Sequence, residues 1–205
     1  MKNRIEFFYD LSSPWTYLAF TNLSGVLERT GSSAVLRPIL VGGVFNAVNP
    51  AVYAARDQIN SPKMKHLWKT LPDWAVLAGV HIIFPSQWHP AKSVNAMRFS
   101  CALADDMPAL AQFTKAAFES YFGRAENLDD PDVLVALAQA AGLDGEALRA
   151  AAQTDAVKAL LRANTQELIT RGGYGSPTIF VDNTTLYFGN DQLPLVEAAL
   201  MRKPK

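Results

Sequence analysis

Tyr9-Asp10-Leu11-Ser12-Ser13-Pro14-Trp15-Thr16-Tyr17 is the stretch on which the reading of the fold turns. Ahead of it, Ile5 to Tyr9 is a short apolar and aromatic run that predicts a buried strand. Behind it, Trp15, Leu18, Ala19, Asn22, Leu23, Val26 and Leu27 recur at helical spacing, and Gly31 stops that helix. The stretch is therefore a strand-to-helix junction, with Ser13 as N-cap and Pro14 in the first turn. Such a helix start carries unpaired backbone N–H groups and a partial positive charge, and both stabilise an anion, a thiolate included. The same Ser-Pro pair also starts many helices that bind nothing.

Working outward, Ala34 to Leu40 is a second strand, so the chain opens β-α-β, the pattern of a parallel unit. Residues 41–60, with Gly42, Gly43, Asn46, Asn49 and Pro50, predict a loop. From about Pro62 to Arg171 the character is helical, with breaks at Asp105-Asp106, at 123–131 and at 142–145. Two short β runs follow, Thr178 to Val181 and Thr185 to Phe188, joined by the turn pair Asp182-Asn183. Gly189-Asn190-Asp191 precedes a last apolar helix, Leu193 to Met201, with Asn190 or Asp191 as its expected N-cap. The order β-α-β, helical block, β-β-α predicts an α/β thioredoxin-like fold with a large all-helical insertion. The expected division is residues 1–60 and 172–205 for the thioredoxin-like domain and 61–171 for the insertion.

The composition narrows the function classes. Of 205 residues, 49% are hydrophobic and 19% charged, enough to bury a large core. Lys plus Arg equals Asp plus Glu at 19 each, which argues against a nucleic-acid binder despite the basic end at Arg202, Lys203 and Lys205. The single cysteine, Cys101, allows no internal disulfide, CxxC pair or Cys-rich zinc site, and its apolar surroundings predict a buried, inert thiol. His66, His81 and His89 lack ligand spacing, so no metal is expected. There is no signal-peptide core, and no run approaches the roughly 18 apolar residues of a membrane span. A soluble cytoplasmic protein is the expectation.

Two further motifs carry chemistry. Gly173-Tyr174-Gly175-Ser176-Pro177-Thr178 places a candidate cis-proline at the entry to a strand. There the backbone of Ser176 can pair with an extended ligand as an added strand does, although an ordinary turn has the same composition. Phe188-Gly189-Asn190-Asp191 combines a carboxylate with helix-end N–H groups, a set able to hold an α-amino and α-carboxylate pair. Lys63 is a candidate anion-binding lysine, and Trp68, Trp74 and Trp88 are expected in the core and in pocket walls.

Taken together these residues resemble the 2-hydroxychromene-2-carboxylate isomerases and kappa-class glutathione transferases, in the DsbA-like branch of the thioredoxin superfamily. The resemblance rests on Tyr9-Asp10, Ser13-Pro14-Trp15 and Tyr17-Leu18, on Gly175-Ser176-Pro177-Thr178, and on Phe188 to Leu193, with Gly42 to Phe45 and Phe84-Pro85 in support. It runs from Ile5 to Leu200. It implies that glutathione is the cofactor and that Ser13 is the catalytic residue, hydrogen-bonded to the glutathione sulfur. It implies that Ser176 and Pro177 form the loop that pairs with the cysteinyl backbone, and that Asn190 and Asp191 hold the γ-glutamyl end. It places Lys63 and Asn49 at the glutathione and substrate site, and it implies a homodimer. Two departures stand out. Ser12 lies beside Ser13, and the helix near position 70 reads Thr70-Leu71-Pro72-Asp73-Trp74-Ala75 where the family carries an acidic residue before Arg-Trp-Ala. Pro72 is expected to bend or shorten that helix, which puts the substrate in question more than the use of glutathione.

A dithiol oxidoreductase of this branch carries C-P-x-C at the turn where this chain has Ser13-Pro14-Trp15-Thr16. A serine forms no mixed disulfide, so dithiol exchange is excluded there. The resemblance leads to a glutathione-dependent isomerase acting on a conjugated aromatic-degradation intermediate, with a kappa-like glutathione transferase as the alternative. A DsbA-like binding module without dithiol activity is the non-enzymatic alternative.

Overall fold

The computed structural model describes residues 3–57 and 60–202; Lys203 and Lys205 of the basic end lie outside them. Strand β1, Asn3–Tyr9, runs parallel to β2, Ser33–Pro38, and antiparallel to β3, Thr178–Val181; β3 pairs antiparallel with β4, Thr185–Phe188. The sheet order is β2-β1-β3-β4. With β1 and β3 central, both lie under cover, and Phe7, Phe8, Ile179 and Phe180 are at most 2% exposed. A buried run rich in aromatic and β-branched residues is what a strand covered on both faces requires. The β3–β4 turn is the predicted one, since Asp182 and Asn183 both adopt positive φ, 51° and 61°.

Helix α1, Pro14–Thr30, makes the crossover from β1 to β2 and ends on Gly31 at φ 59°. The loop expected over 41–60 is instead largely helical: α2 spans Val41–Val48 and α3 spans Ala51–Asp57. Leu40 supplies no side-chain cap, but the Asp10 carboxylate accepts the Val41 N–H at 2.8 Å and so caps α2 from the end of β1. Val44 then packs with Phe8, Ile39 and Leu168 in a buried cluster. Tertiary contacts thus outweigh the poor helix propensity of Gly42 and Gly43.

Six helices follow: α4 Pro62–Ala78, α5 Val94–Ala102, α6 Met107–Phe118, α7 Pro131–Ala140, α8 Gly145–Ala151 and α9 Asp155–Thr170. Ser61, Asp106, Asp130, Asp144 and Thr154 cap five of them, and Asp106, Asp130 and Asp144 stand at the breaks the composition marks. Pro72 does not shorten α4, which runs on to Ala78. Trp88, expected inside, is 42% exposed. Helix α10, Leu193–Met201, closes the chain after a 3₁₀ turn at Asn190–Gln192. Neither Asn190 nor Asp191 caps it. Gln192 holds the cap position, and Asn190 is engaged elsewhere.

One hydrophobic cluster joins β1, α1 and the helices of the middle segment. Phe118 is at its junction, stacked on Tyr17 at 5.2 Å and close to Phe20, Tyr9 and Phe122. A smaller cluster seats α4 on α1 through Leu18, Leu71 and Ala75, with Trp15 and Trp74 at its edge. That docking turns a face of α4 toward the β1–α1 junction. Among the described residues, no helix is long and apolar enough to cross a membrane.

Candidate active site at the first helix and the cis-proline loop

The site is built where α1 begins. Ser13 Oγ accepts the Thr16 N–H at 3.2 Å, the expected N-cap bond. Pro14 has no N–H to offer, and the Trp15 N–H has no acceptor among the described residues. Ser13 Oγ also donates to the carbonyl of Ser176 at 3.4 Å, a long bond that a stronger acceptor displaces easily. A helix-end amide and a hydroxyl donor thus stand side by side, the arrangement that favours an anion.

The two neighbouring serines have different tasks. Ser12 turns to Asp10: its N–H donates to Asp10 Oδ1 at 2.9 Å. Ser13 alone reaches across to the second loop. This geometry favours Ser13 for chemistry on a ligand at the junction.

The second loop presents its backbone because its side chain is tied down. The Ser176-Pro177 bond is cis. Ser176 Oγ accepts the Asp10 N–H at 2.9 Å and pairs with Thr16 Oγ1 at 2.8 Å. The Ser176 N–H has no acceptor among the described residues, so it is available to an extended ligand. Gly175 is required one residue earlier: a Cβ there would meet Phe188 Cε2 at 2.9 Å. Asn49, at the end of α2, donates from Nδ2 to the Tyr174 carbonyl at 3.2 Å and braces this loop from outside.

Asp10 lies beneath both loops, 1% exposed. Burial pushes its carboxyl pKa up, opposed by bonds from the Val41 and Ser12 N–H groups and the Ser93 hydroxyl. A folded-state pKa above the unfolded value near ~3.9 means that the native protein binds a proton the unfolded chain has lost. This contribution to stability is present below the unfolded pKa and is lost as pH rises through the folded one. Urea denaturation of wild type and Asp10→Asn across pH 4–8 is therefore expected to show the wild-type advantage shrinking as pH rises. An advantage that grew with pH would mean that the amide donors outweigh burial.

A cavity of about 360 Å³ opens beside these loops, lined by Trp15 of α1, by His66, Leu67, Thr70 and Trp74 of α4, by Ser176-Pro177, and by Phe188 to Asp191. Four of the seven predicted site residues line it: Ser176, Pro177, Asn190 and Asp191. Ser13 adjoins it through Ser176. Asn49 stands behind the loop, and Lys63 lies exposed in the first turn of α4, outside the lining but three and seven residues before His66 and Thr70 on the same helical face. Asn190 is 4% exposed; its Oδ1 accepts from Asn22 Nδ2 at 2.9 Å, while its own Nδ2 is buried with no partner among the described residues. An unmet buried donor in a cavity wall is costly unless a ligand meets it.

Trp74, expected in the core or a pocket wall, lines the cavity; the sequence alone did not assign His66 or Trp15 to the site. The spacing of Lys63, His66, Thr70 and Trp74 was the available signal. A larger cavity, about 750 Å³, lies between α1, β2 and α6, and none of the seven candidate residues lines it. Cys101 is buried in α5 and has no part in the site: burial pushes its thiol up to about 12, so it stays protonated near neutrality.

A strand-to-helix junction facing a cis-proline loop across a helix-split sheet defines a thioredoxin-like protein, here with serine in place of the thiol. The DSBA-like thioredoxin domain matches residues 4–201, and the chain belongs to that family. It is 29% identical to the 2-hydroxychromene-2-carboxylate isomerase of Sphingobium xenophagum over 203 residues, 98% of this chain and all of that one. It is 27% identical to glutathione S-transferase kappa 1 of Rattus norvegicus over 216 residues, 97% of this chain and 91% of that one. The solved structure of a 2-hydroxychromene-2-carboxylate isomerase superposes with TM-score 0.84 at 23% identity, over 96% of this chain and 93% of that one. The relatives are enzymes, and so is this chain.

Proposed function

We propose that the chain is a glutathione-dependent isomerase of the 2-hydroxychromene-2-carboxylate isomerase type. The observation that carries the reading is Ser13, a cap hydroxyl beside the unpaired Trp15 N–H, facing a cis-proline loop whose free Ser176 N–H can take a cysteinyl backbone. Glutathione laid along that loop puts its sulfur at Ser13 and its γ-glutamyl end at Asn190 and Asp191. The thiolate adds to a conjugated, electron-poor carbon of an aromatic-degradation intermediate, and the double bond becomes single. Rotation or ring opening follows, then elimination returns glutathione and restores the conjugation. Lys63 stabilises carboxylate or enolate charge on the substrate, and Asn49 keeps the loop in place. Residues 61–171 are the insertion domain that covers the site, and the enzyme works as a cytoplasmic homodimer.

The fate of glutathione tests this. Incubation with 2-hydroxychromene-2-carboxylate and glutathione is expected to change the substrate spectrum while free thiol stays constant. Stoichiometric loss of thiol would indicate the transferase reading instead. No spectral change and no thiol loss would count against both.

A further inference from the structure

We propose that His66 is the carboxylate receptor for the γ-glutamyl end of glutathione, opposite Asp191 as the receptor for its ammonium group. The proposal rests on the glutathione reading above and deepens it. The γ-glutamyl end carries an ammonium and a carboxylate on one carbon, so its site needs an acceptor and a donor facing each other across a short gap. Two ionisable side chains line the cavity, Asp191 from the 3₁₀ turn and His66 from α4. Both are exposed, and neither side chain has a hydrogen-bond or ion-pair partner among the described residues. Asp191 only accepts, so it suits the ammonium group.

The carboxylate needs donors, and the lining offers a few that differ in charge. The Thr70 hydroxyl already donates to the His66 carbonyl at 3.0 Å. The buried, unpaired Nδ2 of Asn190 is one donor left over. His66 is another, and unlike the indole N–H groups of Trp15 and Trp74 it is able to carry positive charge.

Isothermal titration with three thiol peptides tests the proposal: glutathione, 4-aminobutyryl-cysteinyl-glycine, which lacks the carboxylate, and glutaryl-cysteinyl-glycine, which lacks the ammonium. His66→Gln is expected to weaken glutathione about ten- to a hundredfold, the effect of one charge-assisted hydrogen bond. It should leave the carboxylate-free peptide within about twofold of wild type. Asp191→Asn should behave in mirror image, with the ammonium-free peptide unaffected. Equal weakening of all three peptides by His66→Gln, or no weakening of glutathione, overturns the role of His66 while the glutathione reading stands. A wild-type protein that binds none of the three overturns both.

Discussion

Ser13→Ala is expected to lower turnover by roughly a hundred- to a thousandfold at saturating glutathione, the usual cost of removing one preorganised donor from a developing anion. The argument begins with the thiol. A free cysteine thiol has a pKa near ~8.5, so little thiolate exists at neutral pH without help. In the proposed complex the sulfur would meet two donors at the junction, the Ser13 hydroxyl and the Trp15 N–H, reinforced by the positive end of α1. Removing the hydroxyl leaves the amide and the helix end, so the thiolate forms at higher pH. Ultraviolet absorbance of the bound thiolate, titrated against pH, reads this directly and independently of turnover. Ser13→Ala also loses the cap bond to Thr16, a cost of about 1 kcal/mol in stability, which does not account for a hundredfold rate effect. Ser12→Ala is the control. Ser12 is tied to Asp10 through its N–H while Ser13 alone reaches the cis-proline loop, so turnover is expected within a few-fold of wild type. Comparable losses in the two variants, or an active Ser13→Ala enzyme, would remove Ser13 from the mechanism. Unchanged glutathione affinity in an enzyme with no turnover to lose would favour the binding module.

What could be read from the sequence was what short-range chemistry decides. The cap at Ser13, the proline after it, the stop at Gly31 and the Asp182-Asn183 turn each depend on residues within one turn of themselves, and each stands where the composition places it. Helix α2 was hidden because its cap comes from Asp10, 31 residues upstream. Asn190 and Asp191 have side chains that suit capping and ligand binding alike. The fold separates the two uses by giving Asn190 to Asn22 and leaving Asp191 on the cavity. The role of Thr16 was likewise out of reach, since its hydroxyl matters through Ser176, 160 residues away. His66 is the clearest case. Its spacing on α4 marks a face, but only the docking of Leu71 and Ala75 onto Leu18 turns that face to the site. The pair Ser12 and Ser13 could not be separated by type at all, only by what each touches.

Phe118→Ala is expected to cost about 3–5 kcal/mol, the range for deleting a fully buried aromatic ring. The ring is 0% exposed. It stacks on Tyr17 at 5.2 Å, one turn below Ser13 on α1, and approaches Tyr9 of β1 at 6.5 Å and Phe122 at 6.3 Å. Tyr9, Tyr17 and Phe122 are themselves buried, so the space left by the ring has little means of collapsing. For a chain of this length the loss corresponds to a fall in Tm of roughly 6–20 °C, measured by calorimetry or circular dichroism. Phe118→Leu refills part of the volume and is expected to recover more than half of the loss. The shape of the transition carries a second result. One hydrophobic cluster runs from β1 and α1 into the helical segment, so the whole transition should move to lower temperature as a single cooperative step. A transition that split in two, with one part unmoved, would show that residues 61–171 unfold independently. In that case the wall bearing His66, Thr70 and Trp74 would be held to the first helix only by the small cluster around Leu18, Leu71 and Ala75. Activity at a temperature where Phe118→Ala remains folded distinguishes the two outcomes. With a shared core, Tyr17 loses its stacking partner, α1 shifts and turnover falls with stability. With separable parts, the junction at Ser13 is undisturbed and turnover of the folded fraction stays near wild type.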